Sequence, residues 1–238
     1  REGVVRPARV TVHAHEPGQQ PGEDVGECLG TGTIGLPGKD PDVRKVPITA
    51  PGTTFDDISG HDNQPAIEAL AARGIIDGKS DGNFDPEGNM TRAEFAAIVV
   101  RALGLTPAAN DAFADVEAEA WYAPYVGTAS TYSLINGVGE GRFLPDGTIT
   151  RQEAAVMVAR AAELCGLDTE MDAAAVRNTL AQFPDYMSSA EWARAQLAFC
   201  CQADILSQSE LNLRPLDAAT RAEVAQMLFN LLSGANLL

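Results

Sequence analysis

A chain of 238 residues with a formal charge of −16 and only 17 lysines and arginines has no basic face to offer a nucleic acid or an anionic membrane surface. With 45% apolar residues it can pack a core, which excludes a wholly disordered chain. No apolar run approaches the ~18 residues of a membrane span, so membrane insertion is not expected.

Residues 1–54 differ in kind from the rest. Gly and Pro fill sixteen of the first 52 positions, and only Val10-x-Val12 hints at a strand. The stretch reads as an extended arm or as the tail of a preceding domain. It opens on Arg1 without Met or a signal peptide, which suggests a mature or excised piece of something longer. His13-x-His15 offers two metal ligands with no third nearby, a poor site.

From Phe55 onward the chain reads as helix, loop, helix. A first helix carries Pro65 in its first turn and Ile67, Leu70 and Ala71 on one stripe, with Gly74 as a left-handed stop. The Gly-, Asp- and Asn-rich loop 77–89 bends around Phe84. Thr91 at the N-cap and Glu94 at N3 then form a capping box that opens a second helix, whose apolar face is Phe95, Ile98, Val99, Ala102 and Leu103.

The pattern recurs twice. Thr91-Arg92-Ala93-Glu94 returns as Thr150-Arg151-Gln152-Glu153 and Thr220-Arg221-Ala222-Glu223, at spacings of 59 and 70. Phe55-x-Asp57 returns as Phe113-x-Asp115 and Phe183-x-Asp185, at 58 and 70. Two independent motifs keeping one period identify a repeat array. Ile75-Ile76 matches Leu134-Ile135 and Ile205-Leu206, and Phe84-x-Pro86 matches Phe143-x-Pro145 and Leu213-x-Pro215. Gly78 matches Gly137, but the third copy has Gln208 there. The last connector is eleven residues longer and has room for a short helix over 172–180. Three apolar stripes of this kind cannot be buried singly and are expected to pack on one another.

The combined pattern of Phe-x-Asp, a Trp-containing helix start, Gly-Ile-Ile-x-Gly, Asp-Gly-x-Phe-x-Pro and Thr-Arg-Ala-Glu resembles the S-layer homology module. The resemblance runs over residues 55–233 and gives modules at 55–105, 113–165 and 183–233, a connector at 166–182 and the arm at 1–54. It implies a mainly α fold, with three repeats in a pseudo-threefold, three-pronged bundle around the second helices. It also implies a non-covalent anchor of the bacterial cell wall and S-layer, outside the cell. Grooves between prongs would bind an acidic, often pyruvylated, secondary polysaccharide attached to peptidoglycan, with the motif arginine as a main contact. The residues it implies for the ligand are Arg92, Arg151, Arg221, Trp121, Trp192, Asp57, Asp115, Asp185, Gly78 and Gly137. Copy one has Asp62 where the others keep a Trp, and copy three has Glu210-Leu211-Asn212-Leu213 in place of an Asp-Gly turn. One or two strong grooves and one degenerate groove are therefore expected.

A physical reading stands beside the resemblance. An arginine directly after the N-cap lies at the positive end of the helix dipole, unfavourable by a few tenths of a kcal/mol. Free helix N–H groups and a guanidinium fork together suit a carboxylate or phosphate. The alternative is an internal salt bridge, Arg92 with Asp57 or with its own Glu94. On the binding reading, Arg92→Ala and Arg151→Ala weaken wall binding with the fold nearly unchanged, whereas Phe95→Ala costs several kcal/mol. Arg101 and Arg160 follow the motif arginines by nine residues, two and a half turns, and read as a solvated face.

Other chemistry is weak. Asp77-x-Lys79-x-Asp81-Gly82 resembles a calcium loop only faintly, since its twelfth position is Gly88 and not a bidentate Glu. His61 reads as a capping or packing residue. Gly137-x-Gly139-x-Gly141 lacks a preceding strand. No catalytic constellation, cofactor or metal site emerges, so this segment is not expected to be an enzyme. Cys28, Cys165, Cys200 and Cys201 read as buried thiols, or as one disulfide from Cys165 to Cys200 or Cys201. The competing functions are an assembly module whose arginines pair with acidic side chains of surface-layer neighbours, and an intracellular helical scaffold.

Overall fold

The computed structural model describes residues 39–79, 82–208 and 210–238, among which the chain is mainly helical. The readings placed on Val10, Val12, His13, His15, Cys28 and Asp81 lie outside the described residues. Seven α-helices are described: α1 (Gln64–Ala71), α2 (Arg92–Ala102), α3 (Ala123–Thr131), α4 (Arg151–Leu164), α5 (Ala173–Leu180), α6 (Arg194–Gln202) and α7 (Arg221–Gly234).

The second helix of each repeat (α2, α4 and α7) starts on a complete capping box. Thr91, Thr150 and Thr220 accept from the backbone N–H of Glu94, Glu153 and Glu223, and each Glu returns a carboxylate to the Thr backbone N–H. The first helices α1 and α3 carry Pro65 and Pro124 in their opening turn, where a missing N–H has no intrahelical partner to lose. Gly74 ends the first unit's opening helix at φ +66, as expected of a left-handed stop. The longer connector forms α5, capped by Asp172, which accepts from Ala174 and Ala175 N–H at 2.8 Å.

The units interlock cyclically. Helix α3 packs on α2, α6 on α4, and α1 on α7, so the first helix of one unit covers the second helix of the unit before it. Helices α2, α4 and α7 also contact one another. Their stripes are fully buried: Phe95, Val99 and Leu103 in α2 and its C-cap, and Val224, Leu228 and Leu231 in α7. A helix of 8 to 14 residues gains most of its stability from such an apolar face and little from intrinsic propensity.

The loops close the same cycle. Thr91 bridges Thr148, Thr150 bridges Ala218, and Asn89 bridges Thr220, all antiparallel. At the start of α2 the N–H groups of Arg92 and Ala93 donate to Gly147 O and Pro145 O of the second unit, at 2.8 and 3.0 Å. Arg151 and Gln152 donate likewise to Asp217 O and Pro215 O, and Arg221 and Ala222 to Gly88 O and Pro86 O. The first two orphan donors of each helix are thus satisfied by a neighbouring loop, and the third by the helix's own capping Thr.

Residues 39–54 strap the opposite end. Asp40 N–H donates to Leu164 O and Arg44 N–H to Leu103 O, while Lys39 Nζ and Lys45 Nζ donate to Ala235 O and Leu238 O. The basic segment therefore supplies donors to carbonyls at the C-terminal ends of all three second helices. Gly104, at φ +64, is needed beside it, because a Cβ there would come within 2.9 Å of Arg44 O.

Cys165, Cys200 and Cys201 are free and buried, so the disulfide alternative gives way to thiols. Burial pushes Cys165 and Cys201 up to about 11 and Cys200 higher still, which keeps all three protonated near neutral pH.

Candidate functional site

The three motif arginines lie between units, with Arg92, Arg151 and Arg221 only 7%, 4% and 5% exposed. Arg92 donates from Nε to Phe143 O at 2.8 Å, from Nη2 to Asn136 O at 3.3 Å and from Nη1 to Glu153 at 2.6 Å, with its guanidinium 4.9 Å from the Phe143 ring centre. Arg151 repeats this one unit on, to Leu213 O at 3.1 Å and Glu223 at 2.5 Å, with Glu210 at 3.6 Å. Arg221 closes the cycle on the first unit, donating to Phe84 O at 2.8 Å and Asp77 O at 2.7 Å beneath the Phe84 ring.

Two sequence readings are corrected here. The partner carboxylate of Arg92 is Glu153 of the next unit, not Asp57 or Glu94, because the neighbouring capping box docks against it. The helix starts also hold no spare N–H groups for an anion: the next loop takes the first two and the capping Thr takes the third. An arginine fork bound to two or three fixed acceptors acts as a clamp between units. The expectation that Arg92 and Arg151 can be removed with little effect on the fold falls with it.

Each clamp nevertheless borders an open groove, and each groove is assembled from all three units. In the first, the loop residues Asp77, Gly78 and Lys79 and the α2 face of Glu94, Ala97, Ile98 and Arg101 meet Trp121 of the second unit and Arg221 of the third. In the second, Asn136, Gly137 and Val138 and the α4 face of Glu153, Val156, Met157 and Arg160 meet Trp192 of the third unit and Arg92 of the first. In the third, Ser207, Gln208 and Glu210 and the α7 face of Glu223, Gln226, Met227 and Asn230 meet Asp62 of the first unit and Arg151 of the second.

The grooves are not chemically alike. The first two enclose about 330 and 370 Å³, enough for a sugar unit, under tryptophans that remain 57% and 59% exposed. The third widens to about 770 Å³, since Asp62 supplies no aromatic wall. It gathers Asp62, Asp204, Glu210 and Glu223 against Arg151 and the adjoining Arg214, so carboxylates outnumber cations and the field disfavours an anion.

Asp57, Asp115 and Asp185 do not line the grooves. Asp57 accepts from Phe84 and Asp85 N–H at 2.8 and 2.7 Å, Asp115 from Phe143 and Leu144 N–H at 2.8 Å, and Asp185 from Leu213 and Arg214 N–H at 2.8 and 2.7 Å. Partial burial raises Asp57 and Asp115, but these paired amides outweigh it and hold both carboxyls below the usual range. Their geometry makes them staples of the loop. Gly78 and Gly137 do line the first two grooves, and they also seat the motif phenylalanines. A Cβ would come within 2.7 Å of Phe55 Cε1 at Gly78, and within 2.4 Å of Arg142 O at Gly137.

Sequence reasoning missed Arg101 and Arg160. The nine-residue offset does separate each from the arginine on its own helix. The structure nevertheless brings each to the arginine of another unit, Arg101 to Arg221 and Arg160 to Arg92. No single-repeat pattern contains that pairing. Arg101 pairs with Asp77 at 3.1 Å and stacks on Tyr125, 5.0 Å away. His61 accepts from the N–H of Asn63, the N-cap of α1, at 3.0 Å and lies 3.2 Å from Glu87, so it braces the turn before the helix and does not cap its first turn.

Comparison with known proteins adds a family match over two stretches of the chain. Residues 54–96 and 112–155 match the S-layer homology domain. The exoglucanase XynX of Acetivibrio thermocellus is 32% identical over 212 residues, which cover 88% of this chain and 18% of that protein. The surface-layer 125 kDa protein of Lysinibacillus sphaericus is 31% identical over 175 residues, 72% of this chain and 14% of that protein. The S-layer protein sap of Bacillus anthracis is 29% identical over 186 residues, 76% of this chain and 22% of that one. The chain thus spans less than a quarter of the length of each of these relatives.

Proposed function

We propose, because residues 54–96 and 112–155 carry the S-layer homology family pattern, that the chain is a non-covalent anchor that holds a longer exported protein to an acidic polysaccharide of the bacterial cell wall. Residues 183–233 are the third module, and the three modules form a pseudo-threefold, three-pronged bundle. The anchor works outside the cell, on a secondary polymer attached to peptidoglycan, and the acidic group it reads is a pyruvyl ketal.

One observation carries this reading. Two grooves each combine an exposed tryptophan face, a glycine-lined backbone edge and two guanidinium groups, drawn from three different units. The flat ring suits a pyranose face, the backbone edge admits close approach, and the cations suit a carboxylate. The groove residues that carry binding are Trp121, Gly78 and the guanidinium pair Arg101 and Arg221 in the first, and Trp192, Gly137 and the pair Arg92 and Arg160 in the second. Arg151 is the clamp of a third groove that has lost its ligand chemistry.

The test is retention of the purified chain on isolated walls before and after the accessory polysaccharide is stripped. Stripping abolishes retention on this reading. Unchanged retention defeats it and favours contacts with protein neighbours of the surface layer.

A further inference from the structure

The two competent grooves contain four arginines, and within each groove one of the two is already neutralised. In the first groove Asp77 neutralises Arg101, whereas Arg221 has only backbone carbonyls within reach and no carboxylate within ion-pair distance among the described residues. In the second groove the roles are exchanged. Arg92 is held by Glu153, and Arg160 has only neutral acceptors: Leu134 O at 3.4 Å and, with the Asn136 amide turned to present its oxygen, that oxygen at 2.8 Å. Neutral acceptors satisfy N–H groups but leave the positive charge uncompensated, which is costly in a half-buried position. Carboxylates act on both arginines only through space, without forming an ion pair: Glu163 on Arg160, and Glu94, Asp85, Asp77 and Asp57 on Arg221.

Resting on the reading of these grooves as anion sites, we infer that Arg160, and not the motif arginine Arg92, is the residue that selects the carboxylate in the second groove. Arg92 is the clamp that holds the groove's walls together. Arg221 combines both tasks in the first groove, so the two grooves meet the anion from opposite corners and are not equivalent. The third groove carries Asn230 at the position of Arg101 and Arg160, and its lining arginine Arg151, like the adjoining Arg214, is matched by Glu223 and Glu210. No cation there is left for a ligand.

The chain contains two tryptophans, one in each competent groove, so fluorescence can read the grooves separately. In a Trp121→Phe background Trp192 reports the second groove alone. The probes are the methyl glycoside of pyruvylated N-acetylmannosamine and the same compound as its uncharged pyruvate methyl ester. Arg160→Met keeps the aliphatic stem and is expected to weaken the acid at Trp192 by about tenfold or more, the loss of one charge-assisted contact, while leaving the ester unchanged. Arg160→Lys should recover most of the affinity, and melting curves of both variants should overlay the parent.

If Arg160→Met binds the acid as the parent does, the inference fails while the grooves remain sugar sites. If the parent binds neither probe at either tryptophan, the anchoring reading fails and the inference falls with it. If Arg160→Met melts early, the lysine variant decides: lost acid binding with retained stability overturns a role for the charge.

Discussion

Arg151 illustrates how far a side chain at a helix start can be drawn into the framework. Its guanidinium spans from α4 to the third unit's loop and capping glutamate, at 4% exposure. Arg151→Ala leaves Leu213 O without its side-chain donor and Glu223 with only Arg214 as a counter-ion. A loss of about 3 kcal/mol is expected in denaturant unfolding. Trp192→Ala should behave oppositely: its ring is mostly exposed, so stability changes by about 0.5 kcal/mol or less while wall retention falls. The loop aspartates add a pH signature. Asp57 and Asp115 have folded-state values below their unfolded 3.8, so their contribution is complete above that pH and is lost as pH falls through the folded values. Melting temperature should therefore hold from neutral pH to about pH 5 and drop below about pH 4. Asp115→Asn should remove part of that drop, because a neutral amide has no proton to gain.

Helices are joined here at both ends, by different means. Their starts are docked on the next unit's loop through backbone bonds, and their ends are held by residues 39–50. The strap places Lys39 on the carbonyl of Ala235, the C-cap of α7, where the helix dipole favours positive charge. Composition alone makes this stretch part of a Gly- and Pro-rich arm, since nothing local marks it as ordered. Its order comes from partners far along the chain, Leu103, Leu164 and Ala235. A chain beginning at residue 51 should therefore melt lower by about 5 °C than one beginning at residue 39, measured by calorimetry. Equal melting points would show that the strap adds no stability.

Because every groove borrows from all three units, the molecule has no divisible binding activity. Deleting residues 183–238 removes Trp192 and Arg221 together with the helix on which α1 packs. Complete loss of wall retention is expected, with a cooperative loss of helical circular dichroism, and not a decline to two thirds. A truncated chain that kept one working groove would contradict the cyclic assembly. The same borrowing explains how one substitution disables a neighbour's site: Asp62, in the first unit, deprives the third groove of its wall.

Much was legible before folding. The repeats, the three capping boxes, the buried stripes, the glycine stop after α1 and the odd chemistry of copy three all rest on short-range spacing, which a linear pattern records directly. The connector helix followed from its length and composition for the same reason. Arg101 and Arg160 as groove residues, Glu153 and Glu223 as the carboxylates that hold Arg92 and Arg151, and the occupied helix N–H groups were not legible. Each depends on which unit sits beside which, and a pattern repeated three times cannot say whether an arginine meets its own glutamate or its neighbour's. Packing settles that: α3 lies on α2, α6 on α4 and α1 on α7, and these contacts bury the apolar stripes and set the partners.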